Sequence, residues 1–242
     1  EMEIQSVKLT DARLKFLVLK DGKANWDIVK SSGDSAQPAT ASSKFKVGLK
    51  SYSIKNGFLV YNDASLGFDM LMDQFNHEGK GDFTEDLFTL KTTTDIDEFT
   101  MTYENVSYIL KAKCIITADL DMDMVNSKYT FSNNEIKLNE LTMSIDGFVA
   151  MPAEDIDMDL KFAVKQNEFK AFLSMIPGVY REGFDKVQSS GKLSFNGFIK
   201  GIYSETTMPG FGITLAINDG MFKYPDLPTA VNNVQVDLNI NN

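Results

Sequence analysis

Between Leu110 and Met124 apolar and polar residues alternate. The even positions are Leu110, Ala112, Cys114, Ile116, Ala118, Leu120, Met122 and Met124; the odd ones are Lys111, Lys113, Thr117, Asp119, Asp121 and Asp123, with Ile115 the exception. This is the two-residue period of a strand with one dry and one wet face. At about 3.3 Å per residue the stretch spans roughly 50 Å, against about 17–20 Å for an ordinary strand. It is therefore one very long strand, or two joined by a bend near Thr117. Burying Leu110, Ile116, Leu120, Met122 and Met124 is worth roughly 1.5–3 kcal/mol each, a sum comparable to the net stability of a domain. Something apolar must cover that face, either another part of the protein or a ligand. Asp155 to Val164 repeats the code, with Ile156, Met158, Leu160 and Phe162 on one side and Asp155, Asp157, Asp159 and Lys161 on the other.

Elsewhere the chain reads as further extended runs. Val7 and Leu9 precede Leu14, Phe16 and Val18, with a change of parity that places a break at Thr10 and Asp11. Asp21-Gly22 marks a turn. Residues 31–43 hold no aliphatic side chain larger than Ala and read as a flexible loop. Asn56-Gly57, between Ile54 and Phe58, predicts a type I′ hairpin. The segment Ile54 to Asp63 aligns without gaps to Ile217 to Asp226, a weak internal repeat. Parity switches predict a turn at Glu104-Asn105 and a bulge or tight turn at Asn139-Glu140.

One segment departs from the β pattern. After Asn167 as N-cap, Phe169, Phe172, Leu173 and Ile176 line one helical face until Pro177. Tyr180, Phe184 and Val187 extend it as a second helical turn, ended by Ser189, Ser190 and Gly191. The final strand, Val231 to Ile240, reads as a sheet edge. The fold class expected is mainly β: a long, curved, mostly antiparallel sheet forming an open groove or partly closed sandwich, with one short helix around 167–176. Residues 1–242 read as a single elongated domain. The absence of an initiator Met and of any apolar run of signal or membrane-spanning length suggests a fragment of a longer protein.

Composition narrows the chemistry. A net charge of -10 and no basic cluster disfavour nucleic acid and anionic membrane surfaces as partners. Cys114, the one cysteine, lies on the dry parity and reads as a small buried hydrophobe. His77, the one histidine, falls in a loop-like stretch and leaves almost no material for a triad or a histidine metal site. The strand carboxylates fit a solvated face better than a glycosidase pair. Asp119, Asp121 and Asp123, like Asp155, Asp157 and Asp159, begin a calcium-loop pattern, but Met124 and Leu160 stand where its glycine belongs, and Thr130 and Gln166 where its glutamate belongs. No phosphate-cradling loop, metal or cofactor is predicted. Twelve Met and eighteen Phe, several on dry parities, leave apolar surface as the chain's main resource. From pattern alone, that surface fits a closed sandwich core or a ligand-lined groove.

Four stretches resemble the AsmA-like family. They are Asp21-Gly22-Lys23-Ala24-Asn25-Trp26-Asp27, the Ile54 to Asp63 segment, the Leu193 to Gly201 run with its paired glycines, and Gly220 to Val236 with Tyr224-Pro225-Asp226-Leu227-Pro228. They are short and degenerate, and spread over almost the whole chain. The resemblance implies a periplasmic protein of Gram-negative bacteria, anchored in the inner membrane by a segment this chain lacks. It also implies a curved sheet with an apolar inside, and a role in lipid transport or outer-membrane homeostasis. Leu110, Ile116, Leu120, Met122, Met124, Ile156, Met158, Leu160 and Phe162 would then line a groove for phospholipid or another acyl-chain lipid. Phe169, Phe172, Leu173 and Ile176 would cap it. Two alternatives stay open: a non-catalytic scaffold with a closed core, and a carbohydrate-binding or adhesive sandwich using Trp26, Tyr52 and Tyr61. An enzyme is the least supported reading.

Overall fold

The computed structural model describes residues 5–27, 49–152, 155–176, 183–204 and 206–242. The expected loop at 31–43 lies outside them, as do Pro177 and Tyr180. The strands are β1 (Ser6–Thr10), β2 (Arg13–Val18), β3 (Ser51–Asp63), β4 (Phe68–Lys80), β5 (Leu87–Tyr103) and β6 (Val106–Asp123). They continue with β7 (Lys128–Leu138), β8 (Leu141–Ala150), β9 (Ile156–Val164), β10 (Gln188–Tyr203), β11 (Gly210–Lys223) and β12 (Val231–Asn241). Helix α1 (Phe169–Leu173) and a 3-10 turn at Phe184–Lys186 lie between β9 and β10.

All twelve strands form one sheet in the order β1-β3-β4-β5-β6-β7-β8-β9-β10-β11-β12, with β2 also on β3. β1 and β2 run parallel to β3 and are split at Asp11, as the parity change predicts. Every later pairing is antiparallel. Among the described residues β12 neighbours only β11, so the sheet stays open. Among the described residues each strand packs against its sheet neighbours alone, except where α1 touches β8, β10 and β11. The expected long, open, mostly antiparallel sheet is the architecture. β6 is one strand of 18 residues, roughly 60 Å at strand rise, with a register shift against β7 between Thr117 and Asp119.

Asn56-Gly57 is not a hairpin. β3 continues straight through it, and the left-handed φ of Asn56 (50°) serves a bulge that shifts the register between Ile54 and Gly57. Asp219-Gly220 does the same within β11, with Asp219 at φ 53°. A Cβ on Gly57 would stand 3.0 Å from Ile54 Cγ2, and one on Gly220 3.1 Å from Ile217 Cγ2. The internal repeat is therefore a repeated bulge in which glycine admits the preceding isoleucine. A residue pair suited to positive φ fits either device; strand pairing selects the bulge. Glu104-Asn105 and Asn139-Glu140 are two-residue turns between consecutive strands.

The helix is shorter than its apolar spacing suggests. Its N-cap is Glu168 rather than Asn167, because the Asn167 carbonyl accepts a hydrogen bond from Leu193 N (2.7 Å) and Glu168 bridges to Lys192. Ser189, Ser190 and Gly191 do not end a helical turn; they open β10. His77 lies within β4, not in a loop, since its neighbours Ile54 and Thr94 pair on both sides.

Two clusters are buried. One gathers Phe169, Leu173, Phe184, Leu193 and Ile217 beneath the helix. The other holds Phe75, Ile96 and Cys114, packed by Ile54, Phe99 and Leu138 from the same face of β3 to β7. Among the described residues no second layer covers this second cluster, yet Ile96 is 1% exposed. Cross-strand side chains supply the cover.

Candidate functional site

The apolar face that carries both clusters is the candidate. Register sets its apolar residues opposite one another in rows that cross the strands. One row runs Phe88, Met122, Tyr129, Val149, Met158, Gly201. The next runs Leu90, Leu120, Phe131, Gly147, Leu160, Ile199, Phe211. The two predicted acidic-apolar strands, β6 and β9, therefore share rows: Met122 with Met158 and Leu120 with Leu160, three strand spacings or about 14 Å apart. Ile156 pairs with Tyr203, and Phe162 with Ile145 and Gly197. Where glycine interrupts a row it admits a neighbour. A Cβ at Gly197 would fall 2.3 Å from Phe162 Cζ, so the ring lies over the bare backbone.

Seven of the nine predicted lining residues stand in this face, half-buried: Ile116, Leu120, Met122, Ile156, Met158, Leu160 and Phe162. Leu110 does not. Lys111 adopts φ 51° at a bulge, so Ile109 and not Leu110 stands opposite Met101, and Leu110 is 49% exposed. Met124 lies past the end of β6, in a turn, and is also exposed. Of the predicted cap, Phe169 and Leu173 are buried and Phe172 packs on their cluster, whereas Ile176 lies beyond the helix and is exposed. Phe88, Tyr129, Phe131, Val149 and Ile199 were not anticipated as lining. Their short alternating runs carried the signal, but only register assigns them to the same rows.

The cap is latched to the sheet. Asn139 Nδ2 donates to Ser174 O (2.8 Å), Glu140 N donates to Ser174 Oγ (3.1 Å), and Ser174 Oγ donates to Ala171 O (2.6 Å). Helix and latch cover the face at one end of β8, β10 and β11. The rows from Phe88 to Gly201 and from Leu90 to Phe211 run nearer the opposite end of the strands.

Charge is confined almost wholly to the other side. Lys111 pairs with Glu98 (3.0 Å), Lys165 with Glu135 (3.2 Å) and Lys200 with Asp159 (2.7 Å). Such solvated pairs add little stability. Asp119, Asp121 and Asp123 engage Asn133, Ser132 and Asn126, and among the described residues no group of three or more His, Cys, Asp or Glu is placed to hold a metal ion. His77 lies on the apolar face itself. Its Nδ1 lies 2.8 Å from Thr94 Oγ1, its Nε2 3.2 Å from Tyr52 Oη, and its ring stacks on Phe75. Burial holds its pKa below the ordinary value. Burial likewise pushes the Cys114 thiol up to about 11, as an inert core thiol requires.

At the sheet's first edge, Asn25 takes the place of a strand. Its Nδ2 donates to Lys15 O (2.8 Å) and its Oδ1 accepts from Leu17 N (3.0 Å), while Trp26 packs on Phe16 and Tyr61. The Asn-Trp element thus closes the edge of β2 against further pairing. A cavity of about 700 Å³ beside the helix is lined by Glu140, Gln166, Glu168, Lys170 and Asp185 among others, a polar set away from the apolar rows.

No protein-family model, curated protein or solved structure matches the chain. Among the described residues no helix is long and apolar enough to cross a membrane.

Proposed function

We propose that the apolar face forms a trough for lipid acyl chains, in a periplasmic segment of an AsmA-like protein that supports lipid transport or outer-membrane homeostasis. In this reading the protein works at the inner membrane, and its partner is phospholipid or another acyl-chain lipid. The observation that carries the reading is the pair of apolar rows from Phe88 to Gly201 and from Leu90 to Phe211, over which no described element packs. A closed-core scaffold would need a second layer there. An acyl chain needs no polar site: each methylene removed from water contributes about 0.8 kcal/mol, so about ten methylenes yield roughly 8 kcal/mol before the costs of association.

Native mass spectrometry after gentle extraction should find co-purifying phospholipid. A lipid-free protein that also takes up no fluorescent acyl probe would sink the trough. The double variant Met122→Asp with Met158→Asp, in one row, should abolish probe uptake and keep a folded β spectrum. Loss of folding would instead place both residues in a closed core.

A further inference from the structure

A run of rings links the start of the apolar rows to His77: Phe88, Phe83, Tyr52, His77 and Phe75, with successive centroids 4.9, 6.3, 5.4 and 5.8 Å apart. Register sets Tyr52 opposite Gly79, Gly79 opposite Thr92 and Thr92 opposite Ala118, the row next to that of Leu90 and Leu120. A Cβ at Gly79 would stand 2.5 Å from Tyr52 Cζ and 2.6 Å from its Oη. The ring therefore lies on bare backbone, and its hydroxyl reaches His77.

Thr94 Oγ1, the His77 ring and Tyr52 Oη form a chain of two hydrogen bonds, 2.8 and 3.2 Å long. Burial lowers the His77 pKa, so above about pH 7 the ring is neutral and carries one N–H. The two hydroxyls add one proton each, and three protons serve two bonds. One O–H is left over. Were it Thr94's, a hydroxyl on a residue only 8% exposed would be buried without an acceptor, the costly arrangement. Thr94 therefore donates to Nδ1, Nε2–H donates to Tyr52 Oη, and the Tyr52 O–H is left to donate outward. Tyr52 is half-buried, and no described strand or helix packs over it.

We propose that Tyr52 Oη donates to the ester carbonyl of a bound glycerolipid, holding its head beside Leu90 while its acyl chains lie along the bare rows. The site rests on the acyl-trough reading and adds the class of lipid to it. Three observations favour a neutral carbonyl. The group on offer is a donor held in place from both sides, by His77 and by the bare backbone of Gly79. Tyr61, on the same face, spends its proton on Asp63 Oδ2 (3.2 Å), and Tyr129 has no polar side chain to orient it. The chain is uncharged, and Lys50, two residues before Tyr52, is paired with Asp82, so a carboxylate or phosphate here would lack a countercharge. An ester carbonyl is bonded directly to its acyl chain, and the Leu90 row is one step of about 6.6 Å along the strands from the Tyr52 row.

Competition against the fluorescent acyl probe tests the site, using a short-chain diester phosphatidylcholine and its dialkyl ether analogue of equal chain length. The unaltered protein should bind the ester roughly threefold to tenfold more tightly, the worth of one net hydrogen bond. Tyr52→Phe removes the donor and should bring the two lipids to equal affinity. Gly79→Ala, which displaces the ring from His77, should do the same, whereas Tyr61→Phe should keep the preference. The site is overturned if the unaltered protein binds ester and ether equally, if Tyr52→Phe keeps the preference, or if that substitution weakens a fatty-acid carboxylate more than the ester. Uptake of neither lipid by the unaltered protein overturns the trough as well; uptake of both without preference overturns this site alone.

Discussion

Leu193 and Ile217 lie on the same face of the same sheet as Leu160 and Ile199, yet they are 3% and 1% exposed while the other pair is half-buried. The residues are alike in type and parity. The difference is helix α1, whose Phe169 and Leu173 sit on one end of β8, β10 and β11, while no described element packs on the rest of the face. Alternation therefore reports which side of a strand is dry. It does not report what keeps it dry, which is a property of the neighbours.

Truncation should separate the two regions most strongly. Leu173→Ala or Leu193→Ala leaves a cavity in a covered cluster and should cost about 2–5 kcal/mol, read as a lower midpoint in urea unfolding. Leu160→Ala, on the bare face, should cost about 1 kcal/mol, because part of that side chain is already in water. Equal losses would mean that the bare region is closed in solution, and the comparison would fail.

The latch gives a smaller contrast. Ser174→Ala removes the acceptor for Glu140 N and should destabilise the covered end by about 1–3 kcal/mol, with faster amide exchange at Glu140. Exchange in β4 and β5, outside the latch, should not change.

The smallest effect is on the bare side, at His77. Burial depresses its folded-state pKa below the ordinary 6.5, so as pH falls the unfolded chain takes up the proton first. Stability should be unaffected by this group above about pH 7, fall as pH drops through 6.5, and level off once the folded state is also protonated. Unfolding titrations at pH 7.5 and 5.5 should show the dependence, and His77→Gln should reduce it. An unchanged slope in that variant would assign the loss to other groups.

Much of the sheet was legible because strand period is local. The phase of Leu110 to Met124 and of Asp155 to Val164 needs no knowledge of the rest of the chain. The parity switches at Thr10-Asp11, Glu104-Asn105 and Asn139-Glu140 mark real boundaries. Errors arose where one residue type serves two devices. Asn56-Gly57 and Asp219-Gly220 supply positive φ equally well to a turn or a bulge. The bulge at Lys111 changed phase within a single run and moved Leu110 off the face. Asn167 was preferred as a cap until the bridge to β10 claimed its carbonyl. His77, between polar neighbours, read as loop because its strand partners are distant in sequence.

Taken alone, the sequence determined that the protein is mainly β, that β6 and β9 are each apolar on one side and acidic on the other, and that Cys114 is buried. All follow from side chains alternating about a single strand, which the strand itself dictates. Only the tertiary structure decided that Met122 and Met158 share a row, and that α1 covers one end of the face while no other described element covers the rest. Those depend on register, bulges and packing between segments far apart in the chain, where pairing energies rather than local period choose the outcome.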